Sequence, residues 1–202
     1  MVHVKDIADK KRPVCCGRRT GKRIYRINQR VLKLPIECTM KQTNSHNQVM
    51  AVALTGHRSI PYDKVPSLRK ALRTVILEHY NRGIRIFYCG MAMGFDLLAA
   101  ETALSMKEVY SDITLVATVP YRGQCEKFTP YNKERYRNAL AKADEVVILA
   151  ESYADDCFLR RNDYMLSCSG HLIAYFDGVP KGGTYYTFKR AKQRGMPVVN
   201  LF

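Results

Sequence analysis

No segment of the chain is apolar for long enough to cross a membrane as a helix. The basic N-terminus lacks the apolar stretch of a secretory signal. Cysteine is present but unpatterned. Cys15, Cys16, Cys38, Cys89, Cys125, Cys157 and Cys168 are odd in number and irregular in spacing, and none forms a CxxC pair. That argues against a disulfide framework and a regular zinc site, so no metal is expected. Buried reduced thiols fit a cytoplasmic protein with no membrane partner. The two common phosphate-loop signatures, GxxxxGK[ST] and GxGxxG, are also missing. No repeat or low-complexity stretch interrupts the 202 residues, enough for one domain with a sizeable core.

The chain does have charge, unevenly placed. Residues 1–48 hold twelve Lys and Arg against Asp6, Asp9 and Glu37, a net +9 of the total +15. A basic arm of this kind suits nucleic acid or another polyanion. It equally fits a solvated, poorly ordered extension. Met50 stands directly before the first clean strand, so residues 1–49 also fit an upstream extension of a frame that starts there. The expected division is a basic extension over 1–49 and one domain over 50–202.

From Met50 onward, strand and helix patterns alternate. AVALTG (51–56), IRIFYCG (84–90), ITLVATVP (113–120), DEVVILAE (144–151), HLIAYFDG (171–178) and PVVNLF (197–202) are six apolar runs. Helices are expected over 65–82, 94–110, 131–143, 159–168 and 182–195. In the first, Leu68, Leu72, Val75 and Ile76 share one face. Continuous apolar strands between helices indicate a parallel sheet buried on both faces. The expected fold is α/β, a Rossmann-like doubly wound, mainly parallel sheet of about six strands with helices on both faces. Such sheets bind ligands beyond the carboxyl ends of their strands.

The residues at those ends are therefore the candidates. After the first strand come Thr55, Gly56, His57 and Arg58: a close-approach glycine, a hydroxyl and a guanidinium suited to phosphate, and a histidine that is either a base or a hydrogen-bonding residue. CGMAMGFD (89–96) follows the second strand. Gly90 shapes the turn, Gly94 opens a helix whose N–H groups favour an anion, and Asp96 suits a sugar hydroxyl or a loop brace. By spacing alone this stretch is equally a packing corner. Tyr121 and Arg122 stand in a ten-residue loop after the third strand and could cover a base or grip a phosphate. Arg161 and Asn162 open the fourth helix. Asp177 follows the fifth strand, and Gly182, Gly183 and Thr184 form a nest of N–H donors where the last helix starts.

Taken together and in order, TGHR at 55–58, CGMAMGFDLLAAE at 89–101, VPYRGQ at 119–124, KADEVVIL at 142–149, RRNDYML at 160–166 and FDGVPKGGT at 176–184 resemble the SLOG superfamily, in particular its YpsA/YoqJ-like branch of bacterial and phage proteins. CGMAMGFD is similar to a motif of the DNA-processing protein DprA, which binds single-stranded DNA. GGT resembles a shortened glycine loop of the LOG phosphoribohydrolases. The resemblance implies a pocket for a nucleotide or nucleotide derivative, walled by the first turn, the Gly90–Asp96 loop and the Gly182–Thr184 loop. LOG enzymes follow that loop with a glutamate, whereas here Tyr185, Tyr186, Thr187 and Phe188 follow Thr184. The resemblance therefore implies a nucleotide-binding sensor or regulatory protein, with homo-oligomers allowed, more than an enzyme. Two alternatives stay open: a nucleotide N-glycosidase using Asp96 or Glu101, and a single-stranded nucleic-acid-binding module.

Overall fold

The computed structural model describes residues 25–27 and 50–202. The expectation of a poorly ordered basic extension over 1–49 falls, apart from 25–27, outside the described residues.

The strands are β1 (Tyr25–Ile27), β2 (Ala51–Gly56), β3 (Ile86–Cys89), β4 (Thr114–Val119), β5 (Glu145–Ile148), β6 (His171–Tyr175) and β7 (Val198–Asn200). The helices are α1 (Val65–Asn81), α2 (Phe95–Lys107), α3 (Pro130–Lys142), α4 (Cys157–Ser167) and α5 (Gly182–Gln193). All seven strands form one parallel sheet in the order β1-β5-β4-β3-β2-β6-β7. Six of them are the strands expected from the sequence. The seventh, β1, continues the sheet at its far edge, with Tyr25 opposite Val146. A three-residue strand inside a basic stretch is too short to show a period, so the sequence pattern gives no sign of it.

The sheet separates two cores because side chains alternate along each strand. Val52 and Leu54 face α1, α2 and α3, packing with Leu72, Ile76, Leu97, Leu98 and Tyr136. Ala51 and Ala53 face α4 and α5, packing with Met165, Leu166 and Ala191. Leu72, Leu97 and Ile76 are fully enclosed, each worth about 2 kcal/mol of transfer free energy. Helix α2 lies between α1 and α3 and is buried nearly all round, which explains its Ala- and Leu-rich composition. Thr129 caps α3, its side chain accepting from Asn132 N at 3.3 Å, and Pro130 supplies the first helical residue.

The chain winds outward from β2 through β3 and β4 to β5, then crosses to β6 on the other side. The order therefore reverses between β2 and β6, which defines a crevice at their carboxyl ends. Asn200 extends the β6–β7 ladder beyond the last strand residue. Its Oδ1 accepts from Phe176 N at 3.0 Å and its Nδ2 donates to Phe176 O at 2.9 Å. That pair fixes the turn into Asp177. On the opposite side of β2 the packing is tighter. A methyl group on Gly56 would come within 2.6 Å of Phe95 Cβ.

Gly56→Ala is expected to lower stability by about 1–3 kcal/mol through overpacking against Phe95. Urea unfolding of the two proteins measures it.

Candidate functional site

The loop after β2 and the turn before α2 are pressed together, backbone against backbone. Phe95 N donates to His57 O at 3.0 Å. Gly94 has φ +79°, and a Cβ there would fall 2.6 Å from the same carbonyl. His57 reaches the other way, into the crevice. Its N–H donates to Tyr175 O at 3.2 Å, and its Nε2 lies 3.0 Å from Asp177 N and 3.1 Å from Asp177 Oδ1. Neutral, Nε2 accepts from that N–H; protonated, it pairs with the carboxylate. Tyr175, Phe176 and Phe202 surround the ring at 5.9–6.3 Å. His57 and Asp177 thus tie β2 to β6 across the crevice.

The turn after β3 is held from three sides. Gly90 O accepts from Gln124 Nε2 at 3.0 Å and from Arg161 Nη1. Arg161 Nε donates to Asn162 Oδ1 at 2.8 Å, and Asn162 Nδ2 lies 3.5 Å from Gly183 O. Arg161 Nη1 stands 3.8 Å from Asp96 Oδ2, both side chains being 6% exposed. Asp96 Oδ2 also accepts from Ala92 N at 3.2 Å. A methyl group on Gly90 would overlap the guanidinium, so glycine is required here. Burial pushes the Asp96 carboxyl up to about 6, although Arg161, Ala92 N–H and Arg58 pull it down. Burial likewise lowers the Arg161 guanidinium and raises the Cys89 thiol beneath it. Helix α4 begins at Cys157, so Arg161 and Asn162 sit in its second turn rather than opening it. They point inward as struts between β3, α2 and α5. Gln124 Oε1 in this cluster is buried with no partner among the described residues.

Further along the edge is an aromatic shelf. Tyr121, Tyr153 and Phe158 stand edge to face, with centroids 5.6, 6.1 and 6.4 Å apart. Arg58 lies over Phe158, its Cζ 5.3 Å from the ring centroid. Loops after β2, β4 and β5 each contribute. Tyr153 stands where the strand-end rule looks, while Phe158 is hidden by placing the helix start two residues too late. Arg122 turns away from the shelf into a bidentate pair with Glu151 at 2.9 and 3.0 Å.

At the β6 end, the N-cap residue of α5, Lys181, makes no side-chain cap hydrogen bond among the described residues. Gly182 takes φ +82° in open space, and Gly182 and Gly183 are exposed. The α2 terminus is different, because Phe95 and Leu97 N–H already serve His57 O and Ala92 O. It offers an anion fewer donors than its glycines suggest. Thr55 is 7% exposed at the end of β2.

The two alternative candidates for catalysis, Asp96 and Glu101, stand apart. Glu101 lies five positions after Asp96 on one helix, which turns them to different faces. Glu101 accepts from Arg135 Nη2 at 2.9 Å and Arg69 Nη2 at 3.2 Å, between α1 and α3. Among the described residues no group of three His, Cys, Asp or Glu could hold a metal ion.

The family model described as YpsA, the YspA SLOG family, matches residues 52–197. A UPF0398 protein of Bacillus velezensis is 28% identical over 140 residues, which is 66% of this chain and 77% of the relative. The UPF0398 protein YpsA of Bacillus subtilis is 26% identical over 137 residues, 65% and 76% of the two chains. Among solved structures, DNA processing protein A of Helicobacter pylori, which binds single-stranded DNA, is similar with TM-score 0.56 and 16% identity. The match covers 79% of this chain and 69% of that one. The Streptococcus pneumoniae DprA gives 0.52 and 19%, covering 74% of this chain, which spans about half (49%) of that protein.

Asp96 yields a pH test. Its folded pKa of about 6 exceeds its unfolded value near 4, so the folded state holds the proton more tightly between them. Its contribution to stability is full below pH ~4 and lost as pH rises to ~6. Urea unfolding should show the stability of the native chain relative to Asp96→Asn falling across that window and level above it.

Proposed function

This chain belongs to the YspA SLOG family, and from that premise we propose that it binds a nucleotide or nucleotide derivative along the carboxyl ends of β2–β6, as a sensor or regulatory protein. The observation that carries the reading is the aromatic shelf of Tyr121, Tyr153 and Phe158, crossed by Arg58 on the sheet edge that also presents the uncapped start of α5. A planar base stacks on such a shelf and a guanidinium reinforces it. Exposed N–H groups at Gly182, Gly183 and Thr184 suit phosphate. Three inter-strand gaps, about 14 Å, separate β6 from β4. A ligand that uses both ends is therefore extended, and Thr55 and the Gly90–Asp96 turn lie under its middle.

Binding rather than catalysis is favoured by the carboxylates. Asp96 is 4% exposed and Glu101 is held by two arginines, so neither is positioned as a nucleophile or a general acid for glycosidic cleavage. A cytoplasmic location agrees with Cys89, Cys125, Cys157 and Cys168 forming no disulfide among the described residues. Among the described residues no helix is long and apolar enough to cross a membrane.

A thermal-shift series with AMP, ADP, cyclic AMP and ADP-ribose tests the reading. At least one should raise Tm by about 5 °C at 100-fold excess over its Kd. Gly183→Asp should abolish the shift without lowering the unliganded Tm, since a Cβ there meets only Asn162 Nδ2 at 3.7 Å. Tyr153→Ala should weaken it. No response to any of the four compounds contradicts the proposal.

A further inference from the structure

Helices α4 and α5 border a cavity of about 310 Å³ that the strand-edge site does not use. Arg160, Asp163, Tyr164 and Ser167 line it from one face of α4. Arg190 and Arg194, one helical turn apart, reach it from α5. Pro120 and Leu149, just beyond β4 and β5, complete its apolar side together with Tyr164. Three arginines and a single carboxylate therefore share the lining.

The arginines differ in what they have left to offer. Arg160 pairs with Asp156 at 3.1 Å, an exposed contact within one helix that contributes little. Arg190 donates its Nε to Asp163 Oδ1 at 3.2 Å, and Asp163 Oδ2 accepts from Tyr186 Oη at 2.8 Å. Asp163 thus orients Arg190 through Nε alone and leaves the two terminal nitrogens to donate elsewhere. Arg194 is exposed and in no ion pair among the described residues. Ser167 offers no donor, because its hydroxyl already donates to Tyr164 O at 2.7 Å. What remains are guanidinium N–H groups, whose fork matches a carboxylate.

We infer that this cavity binds a small organic acid, a flat apolar body carrying one carboxylate. The carboxylate pairs with Arg190 and Arg194, and the body lies on Tyr164, Leu149 and Pro120. Size sets the class. The volume is at the low end of ligand cavities and suits roughly ten non-hydrogen atoms, fewer than a nucleotide has. Asp163 sets the charge, because a phosphate dianion would bring a second negative charge towards it. The inference stands on the side chains of α4 and α5 and does not require the nucleotide reading.

Isothermal titration of the full chain with benzoate tests it, with benzamide as the neutral match of the same shape. Benzoate should bind with a Kd of about 1 mM or below, and benzamide about tenfold more weakly. Arg194→Gln should lower the affinity for benzoate about tenfold. Lys192→Gln removes the same charge from α5 outside the cavity lining and should cost less than about twofold. No binding of benzoate, equal binding of benzoate and benzamide, or equal losses from the two variants overturns the inference. Phenyl phosphate binding more tightly than benzoate overturns the choice of a carboxylate. Gly183→Asp should leave the benzoate affinity unchanged, which separates this cavity from the strand-edge site. A loss there moves the acid to the start of α5 and overturns the cavity. Circular dichroism confirms that the three variants are folded.

Discussion

One buried guanidinium organises the carboxyl edge of this sheet. Arg161 comes from α4, on one side of the sheet, and reaches the Gly90 carbonyl at the end of β3 and the Asp96 carboxylate at the start of α2. Through Asn162 it also connects to Gly183, where α5 begins. Enclosing a charge is costly, and here the cost is offset only by hydrogen bonds and a partial ion pair. Burial wins at Asp96, whose carboxyl is pushed up to about 6 even with the cation beside it. Removing either partner would leave the other uncompensated. The loops at the end of β3 and the start of α5 therefore hold their positions relative to each other through two adjacent side chains, Arg161 and Asn162.

That constraint gives the edge a rigid centre with two open ends. The centre is largely spent on itself: Gly90 O accepts two donors, the α2 N–H groups serve His57 and Ala92, and His57 is tied to Asp177. What remains available lies to either side. The aromatic shelf with Arg58 is at the β4–β5 end, and the uncapped start of α5 is at the β6 end. An extended ligand meets this division better than a compact one.

Much of the fold is legible in the sequence. AVALTG is matched residue for residue, and the other strands and the helices begin and end within a few residues of the apolar runs that mark them. Period and turn residues encode those features locally. The site is less legible, for physical reasons. Arg161 is written like any surface arginine, and only the three-dimensional packing buries it. Glu101 looks free until Arg69 and Arg135 arrive from more than thirty residues away. The shelf joins rings from two loops and the first turn of α4, so no local motif announces it. Strand β1 is too short to carry a pattern. Gly90 is the instructive case: its spacing from Gly94 says nothing decisive, whereas the overlap any side chain would make with Arg161 explains it.

The central claim is that the two ends of this edge hold one ligand across the Arg161-braced centre. Amide hydrogen exchange of the full chain, with and without ADP-ribose, measures it most directly. The account predicts added protection at residues 182–187 and 153–161 together, with little change along the outer face of α1. Protection at one end alone, or none at either, would contradict it.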